Sequence, residues 1–377
     1  MTLKTRRIIY ISLIIIFLAA APLTILYSQG YSFDWQKKTF VKTGSFYLKS
    51  YPLSANIFID GKKSGTAPLY AKRLLPKTYS VEINKNGFYP WQKNLKIESQ
   101  IVTEARNILL IPENPQVKTI DENLSPDFSL AGYFLKNPDK MRVQQAKTTA
   151  ESELKTDSYA LSGDEIFYLQ PLDQILYKAD INGINRRQVT LEPLPSDVYK
   201  ISVSLDQKFI LALGKSERLY LLNPEKNIFE LLETGVKNAD FSMDSKKLLY
   251  YTGSEIWVKY LDKIQIQPYH EAGEKELITR FSEKINSAIW YPEDNEHIIF
   301  VIGNTIKITE LDGRDKRNTY DLLKADSFTQ DGWNNPQLYY SLDKSLLYFI
   351  NNNKLYSEQI KAAQPIIDTS GWVIFGK

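Results

Sequence analysis

Phe241-Ser242-Met243-Asp244-Ser245-Lys246-Lys247-Leu248-Leu249-Tyr250-Tyr251 sets a short polar turn in front of an apolar, aromatic run. Ser and Asp side chains accept backbone N–H bonds in tight turns, and the residues that follow favour strand. The same succession recurs at Ser125-Pro126-Asp127, Ser162-Gly163-Asp164, Ser204-Leu205-Asp206, Tyr291-Pro292-Glu293 and Ser341-Leu342-Asp343, with the acidic positions 37, 42, 38, 49 and 50 residues apart. That is the period of one four-stranded propeller blade. A pair of apolar strands follows most copies, as at 209–213 and 219–222, 248–251 and 256–259, 298–302 and 306–309, and 346–350 and 354–356. An acid repeated at every blade is read as a turn acceptor and not as a metal ligand or catalyst.

Outward from these repeats, the segment 136–157 breaks the pattern. Val143, Ala146, Ala150 and Leu154 make a thin helical stripe there, so the insertion reads as a short helix over the propeller or as a mobile loop. At the C-terminus Trp372-Val373-Ile374-Phe375 is a compact apolar strand. A propeller must join its two chain ends, and this strand is expected to share a blade with Val117-Lys118-Thr119-Ile120.

Upstream of the repeats, residues 44–112 alternate in short strands between turn signals, with Asp60-Gly61 and Asn86-Gly87 as the clearest turns. Six or so strands in seventy residues predict a small sandwich. Trp91, alone after a turn, reads as a core plug before it reads as a sugar platform.

Two resemblances follow from these residues. Ser50-Tyr51-Pro52-Leu53-Ser54-Ala55, Ile59-Asp60-Gly61, Gly65-Thr66-Ala67-Pro68, Leu74-Leu75-Pro76-Lys77-Thr78-Tyr79 and Gly87-Phe88-Tyr89-Pro90-Trp91 resemble, in order, the landmarks of the PEGA domain. That is a β-sandwich module of exported bacterial proteins. Leu53-Ser54, Ala67 and Lys77 depart from its pattern, and Lys77 implies a type I turn where the family has Gly. The resemblance implies a fold and an envelope location, and no catalytic activity. The repeats, in turn, look like the WD-like propeller family marked by Ser-Pro-Asp-Gly-Lys before a hydrophobic hairpin.

Residues 8–27 carry no charge and, as a helix at ~1.5 Å per residue, reach ~30 Å, the hydrocarbon thickness of a bilayer. Lys4, Arg6 and Arg7 precede them, which by the positive-inside rule keeps the N-terminus cytoplasmic. The rival reading is a cleaved signal peptide ending near Ala19-Ala20-Ala21. Pro22 disfavours that cut, and the apolar run is long for a signal core. The division of the chain is then a cytoplasmic tip and anchor at 1–30, a stalk at 31–42, a PEGA-like sandwich at 43–113 and a propeller at 114–377. Tyr31, Phe33 and Trp35 in the stalk suit the membrane interface. The class is all-β: a transmembrane helix, a small sandwich and a propeller of about six blades.

The net charge of +3 hides an asymmetry: residues 37–113 hold 13 Lys/Arg against 5 Asp/Glu, while residues 114–377 hold 31 against 38. A basic membrane-proximal unit before an acidic distal one argues against nucleic acid as the main partner. Lys62, Lys63, Lys72, Arg73 and Lys77 lie in or near turns of the basic unit and are candidate contacts for anionic lipid or an acidic wall polymer. With Cys 0 there is no disulfide, thiolate metal site or lipid-bearing cysteine. No Gly-x-Ser-x-Gly elbow, Walker loop or dinucleotide fingerprint occurs, and His270 and His297, expected on loops or the surface, lack metal-ligand spacing. No catalytic residue, metal or cofactor is expected. Two functions stand. The first is a single-pass, extracytoplasmic binding or scaffold protein of the cell envelope, whose propeller meets a ligand or protein. The second is an exported carbohydrate-active enzyme, which needs two propeller carboxylates ~5–9.5 Å apart.

Overall fold

A computed structural model describes residues 3–125, 128, 130–134, 137–324, 337–351, 354–360, 366–367 and 373–374. The chain divides into two compact units, one built chiefly from residues 1–113 and the other from residues 114–360 apart from 314–316.

The first unit opens with α1 (Leu3–Ser28), which runs through Pro22 and buries none of its residues. A hairpin follows, β1 (Tyr31–Asp34) and β2 (Thr39–Lys42). The expected stalk is therefore paired structure. Asp34 makes the turn, its Oδ1 accepting the N–H of Gln36 at 2.9 Å and of Lys37 at 3.2 Å. Seven strands come next: β3 (Gly44–Tyr51), β4 (Asn56–Ile59), β5 (Lys62–Thr66), β6 (Leu69–Leu74), β7 (Thr78–Asn84), β8 (Trp91–Lys96) and β9 (Val102–Leu109). They form two sheets, β6-β3-β9 and β5-β4-β7-β8, the predicted sandwich. Along β3, β7 and β8 buried residues alternate with more exposed ones, so each strand gives one face to a shared core of Phe46, Leu48, Ile57, Val81, Ile83, Trp91 and Leu95. Trp91 is 1% exposed, a core plug. Asp60 and Gly61 both take positive φ, 49° and 73°, as the tight β4–β5 turn requires.

The second unit opens with β10 (Val117–Asp121), then α2 (Leu130–Phe134), α3 (Asn137–Thr149) and a π-helical turn over Ala150–Leu154. Antiparallel four-stranded sheets follow. The first holds β11 (Tyr159–Ser162), β12 (Glu165–Leu169), β13 (Leu176–Asp180) and β14 (Arg187–Gln188), and the second β15 (Tyr199–Val203), β16 (Ile210–Gly214), β17 (Arg218–Asn223) and β18 (Ile228–Thr234). The third holds β19 (Asn238–Phe241), β20 (Lys247–Tyr251), β21 (Glu255–Tyr260) and β22 (Lys275–Arg280), and the fourth β23 (Ile285–Tyr291), β24 (His297–Ile302), β25 (Thr305–Glu310) and β26 (Thr319–Lys324). In the fifth, β27 (Gln337–Ser341), β28 (Leu346–Asn351) and β29 (Lys354–Glu358) are completed on the outer edge by β10. The short β30 (Ile366–Ile367) and β31 (Val373–Ile374) pair with each other.

The repeated turns from Ser162 onward join successive strands of a sheet, while Pro126 and Asp127 of the first repeat lie outside the described residues. In two of them the chemistry is plainly local. Ser242 Oγ accepts Lys247 N–H at 3.0 Å and donates to Asp244 Oδ1, which accepts Lys246 N–H at 3.2 Å. Ser204 and Asp206 repeat these bonds with Phe209 and Lys208. Asp206 and Asp244 are turn acceptors, as read, whereas Asp164 receives the guanidinium of Arg142. In the fourth sheet the turn acid is Asp294, bonded to Glu296 N–H at 2.8 Å, and not Glu293, which receives the Tyr340 hydroxyl of the fifth sheet.

The chain ends meet differently from the expected closure. Val117, Lys118 and Thr119 pair with Glu358, Ser357 and Tyr356, so β10 adds to β29, and the C-terminal β31 adds to β30. About six blades were expected, and the described residues of the second unit form five four-stranded sheets. The helices explain the interval. The first sheet packs Phe167, Leu169 and Leu176 on the second, and its other face receives Ala146, Ala150 and Leu154 against Ile166, Tyr168 and Ala179. The fifth sheet meets the fourth through Tyr340 and Tyr291, and its other face receives Leu130 and Phe134 against Tyr339, Tyr348 and Leu355. The insertion thus covers one face of the first sheet, and α2, which precedes it, covers one face of the fifth. Of the stripe read from sequence, Ala146, Ala150 and Leu154 face inward, and Val143 is 42% exposed.

Candidate membrane-facing site

The features that point to a surface lie in the first unit, where an apolar helix meets the sandwich. At ~1.5 Å per residue, the 26 residues of α1 span ~39 Å, and their length and composition are enough to cross a membrane. Gly30 ends the helix with φ of 84°, the left-handed exit that glycine takes without strain. Its carbonyl then accepts both the N–H of Thr43, at 2.9 Å, and the Thr43 hydroxyl, at 2.8 Å. The base of the hairpin is closed by these two bonds, so helix, hairpin and first sandwich strand are joined at one point.

A second tie comes from β6. The β3–β6 register shifts between Gly44 and Phe46, and within the resulting bulge Arg73 takes a positive φ of 61°. Its guanidinium carbon lies 3.4 Å from the ring centroid of Tyr27, and Nη1 donates to the Tyr27 carbonyl at 3.0 Å. A cation on a carbonyl in the last helical turn also meets the negative end of the helix dipole.

The five basic residues proposed from sequence are all exposed, and they do not act as one patch. Arg73 is engaged by α1. Lys77 reaches back to the β4–β5 turn and pairs with Asp60 Oδ2 at 2.7 Å, which holds the Asp60 carboxyl below its usual range. Lys72 lies 5.1 Å from the Tyr70 ring. Lys62 and Lys63 project from β5, whose sheet is not that of Lys72 and Arg73. Among the described residues, Lys62, Lys63 and Lys72 are the cations of the set whose ammonium groups make no ion pair or hydrogen bond.

The hairpin adds residues whose arrangement sequence did not reveal. Phe33 and Phe40 are cross-strand partners with centroids 5.2 Å apart, and Trp35 stands edge-on to Phe33 at 4.9 Å. Trp35 is nonetheless 83% exposed. The signals were present as Asp34 before a four-residue gap and as Phe at both 33 and 40, a spacing that places the rings opposite each other once Asp34 makes the turn.

In the second unit, His270 lies half-buried on the β21–β22 loop, in line with expectation, whereas His297 is neither a loop nor a surface group. His297 opens β24, is 5% exposed and holds Asp294 Oδ2 at 2.8 Å. Burial opposes its charge, but Asp294 outweighs burial and raises the imidazole above its ordinary value. His270 stacks on Tyr260 with centroids 3.8 Å apart. A core strand and a buried tyrosine ring recruit them, which spacing along the chain does not show. Lys247, 1% exposed, pairs with Glu296 at 2.7 Å across the third and fourth sheets. Among the described residues no group of three or more His, Asp or Glu is placed to hold a metal ion.

Residues 43–109 match the PEGA domain family. Solved structures similar to this chain include the β-propeller domain of Cps50 (Swd1) from Myceliophteria thermophila, at 11% identity and a TM-score of 0.36, covering 52% of this chain and 66% of that one. A functionally unknown protein from Desulfotomaculum acetoxidans is 16% identical, with a TM-score of 0.36 and coverage of 58% and 68%. An auxiliary nutrient binding protein from Bacteroides thetaiotaomicron is 10% identical, with a TM-score of 0.33 and coverage of 79% and 74%. No curated protein matches the chain.

Proposed function

We propose that this chain is a membrane-anchored scaffold of the cell envelope, with α1 crossing the membrane once, its N-terminus cytoplasmic, and both folded units outside. The propeller presents a recognition face to a protein or polymer partner. The observation that carries this reading is the junction at Tyr27 and Arg73. A helix of membrane-spanning length, with none of its residues buried by the chain, is gripped at its last turn by the PEGA domain. A helix tied in this way belongs to the working protein rather than to a removable leader, and Lys4, Arg6 and Arg7 set its direction.

Binding is favoured over hydrolysis by the turns. Asp206 and Asp244, from the carboxylate series repeated along the chain, accept backbone N–H groups within their own turns. External protease applied to spheroplasts should digest the body, and alkaline carbonate should leave the N-terminal segment in the membrane pellet. Digestion only after the membrane is breached would overturn the orientation. Pull-down from detergent-solubilised cells, with and without prior cross-linking, then tests for the partner.

A further inference from the structure

We infer that the β1–β2 hairpin is a membrane-contact element that lies in the anionic headgroup layer of the bilayer crossed by α1. The inference rests on the anchor reading above and adds a second, peripheral contact to it. Three observations carry it. First, only Gln29 and Gly30 separate the helix from the hairpin, and the base is closed by the Gly30–Thr43 bonds. Strands of four residues at ~3.3 Å each reach no more than ~13 Å, so the tip cannot leave the neighbourhood of the helix end. Second, the tip exposes aromatic surface that the chain does not cover, with Trp35 83% and Phe40 41% exposed. Rings of this kind, apolar in body with a polar edge in Trp, concentrate at membrane–water interfaces. Third, the charges at the tip have one sign outward. Asp34 is 8% exposed and its carboxylate faces inward on two backbone N–H groups, while Lys37 and Lys38 are exposed. Aromatic rings beside outward cations fit phospholipid headgroups of negative charge.

Because the chain has no cysteine, Trp35→Cys gives a single labelling position without other changes. The full-length chain, spin-labelled at that position, would be reconstituted in nanodiscs of mixed phosphatidylglycerol and phosphatidylcholine. Asn86→Cys, in the exposed Asn86-Gly87 turn, serves as the reference. Collision with oxygen, relative to an aqueous nickel chelate, should be at least about twofold higher at position 35 than at 86. A parallel readout uses the native ring: fluorescence lost on Trp35→Phe should be quenched by lipids brominated near the glycerol end of the acyl chain. The combined Lys37→Gln and Lys38→Gln exchange should lower the position-35 contrast, as should pure phosphatidylcholine. A label at position 35 that is as open to the nickel chelate as the one at 86 would overturn the inference. So would a label shielded from both reagents, which would place the hairpin against protein. Carbonate extraction of the same chain separates these results from failure of the anchor, since a chain that stays in the pellet with an aqueous hairpin refutes only the hairpin contact.

Discussion

Arg73 and Tyr27 meet twice, through the ring of Tyr27 at 3.4 Å and through its carbonyl oxygen at 3.0 Å, so a strand of the sandwich holds the last turn of an apolar helix. The stacked contact and the charge-assisted bond together are worth ~2–3 kcal/mol. Arg73→Ala should leave the sandwich folded, because Arg73 is exposed and outside its core. Amide exchange over residues 27–31 should accelerate about tenfold or more in the detergent-solubilised chain. Arg73→Lys should recover little, since an ammonium lacks the planar face that stacks on Tyr27. Unchanged exchange in both variants would mean that the contact does not hold the junction.

The helical insertion should behave as core. Leu154 is 3% exposed against the first propeller sheet, so Leu154→Ala should cost ~2–4 kcal/mol of second-unit stability in urea unfolding. Val143→Ala, one turn from the buried stripe on an exposed position, should stay within ~0.5 kcal/mol. Equal effects at the two positions would show that the helix is not seated as described.

How far the fold can be read from the sequence follows from the range of the forces involved. The Ser-x-Asp turns are legible because their bonds close within six residues, as from Ser242 to Lys247. The apolar length of α1 is likewise a local property. The hairpin at 31–42 was hidden because a short polar and aromatic stretch looks like a tether until Asp34 is seen to make its turn. At the first turn of the fourth sheet two carboxylates stand side by side, and only the strand register selects Asp294 over Glu293. The basic set was drawn from composition. Its division follows from partners at a distance, Asp60 for Lys77 and Tyr27 for Arg73, 17 and 46 residues away in the chain.

Closure by β10 makes a prediction opposite to closure by the C-terminus. Replacing Lys118 and Thr119 together by proline removes their N–H groups from the strand that pairs with Ser357 and Tyr356. That exchange should lower the second unit's unfolding midpoint and promote aggregation through the uncovered edge of β29. Deleting 372–377 should leave the same midpoint unchanged, because β31 pairs with β30. The reverse pattern in differential scanning calorimetry would restore the C-terminal strand as the closing element.

A last prediction concerns Glu358, on the strand that β10 completes. Its side chain is 1% exposed, and among the described residues Oε2 has no hydrogen-bond partner. Alternation along β29 puts it on the face of Tyr356, whose ring stacks on Phe349 at 5.3 Å, so the carboxyl sits among aromatic and apolar groups. Burial therefore pushes its pKa from 4.5 up to about 8. Between those two values the folded chain keeps a proton that the unfolded chain has released, so stability falls as pH rises through this window and levels off above it. The full difference is on the order of 5 kcal/mol. Glu358→Gln keeps the shape and the neutral form at every pH. The variant should match the wild-type chain below pH ~4 and exceed it by a growing margin up to pH ~8, then hold that margin. Urea unfolding of both chains across this range reads the difference directly, and a margin independent of pH would show that Glu358 does not carry its proton into neutral solution.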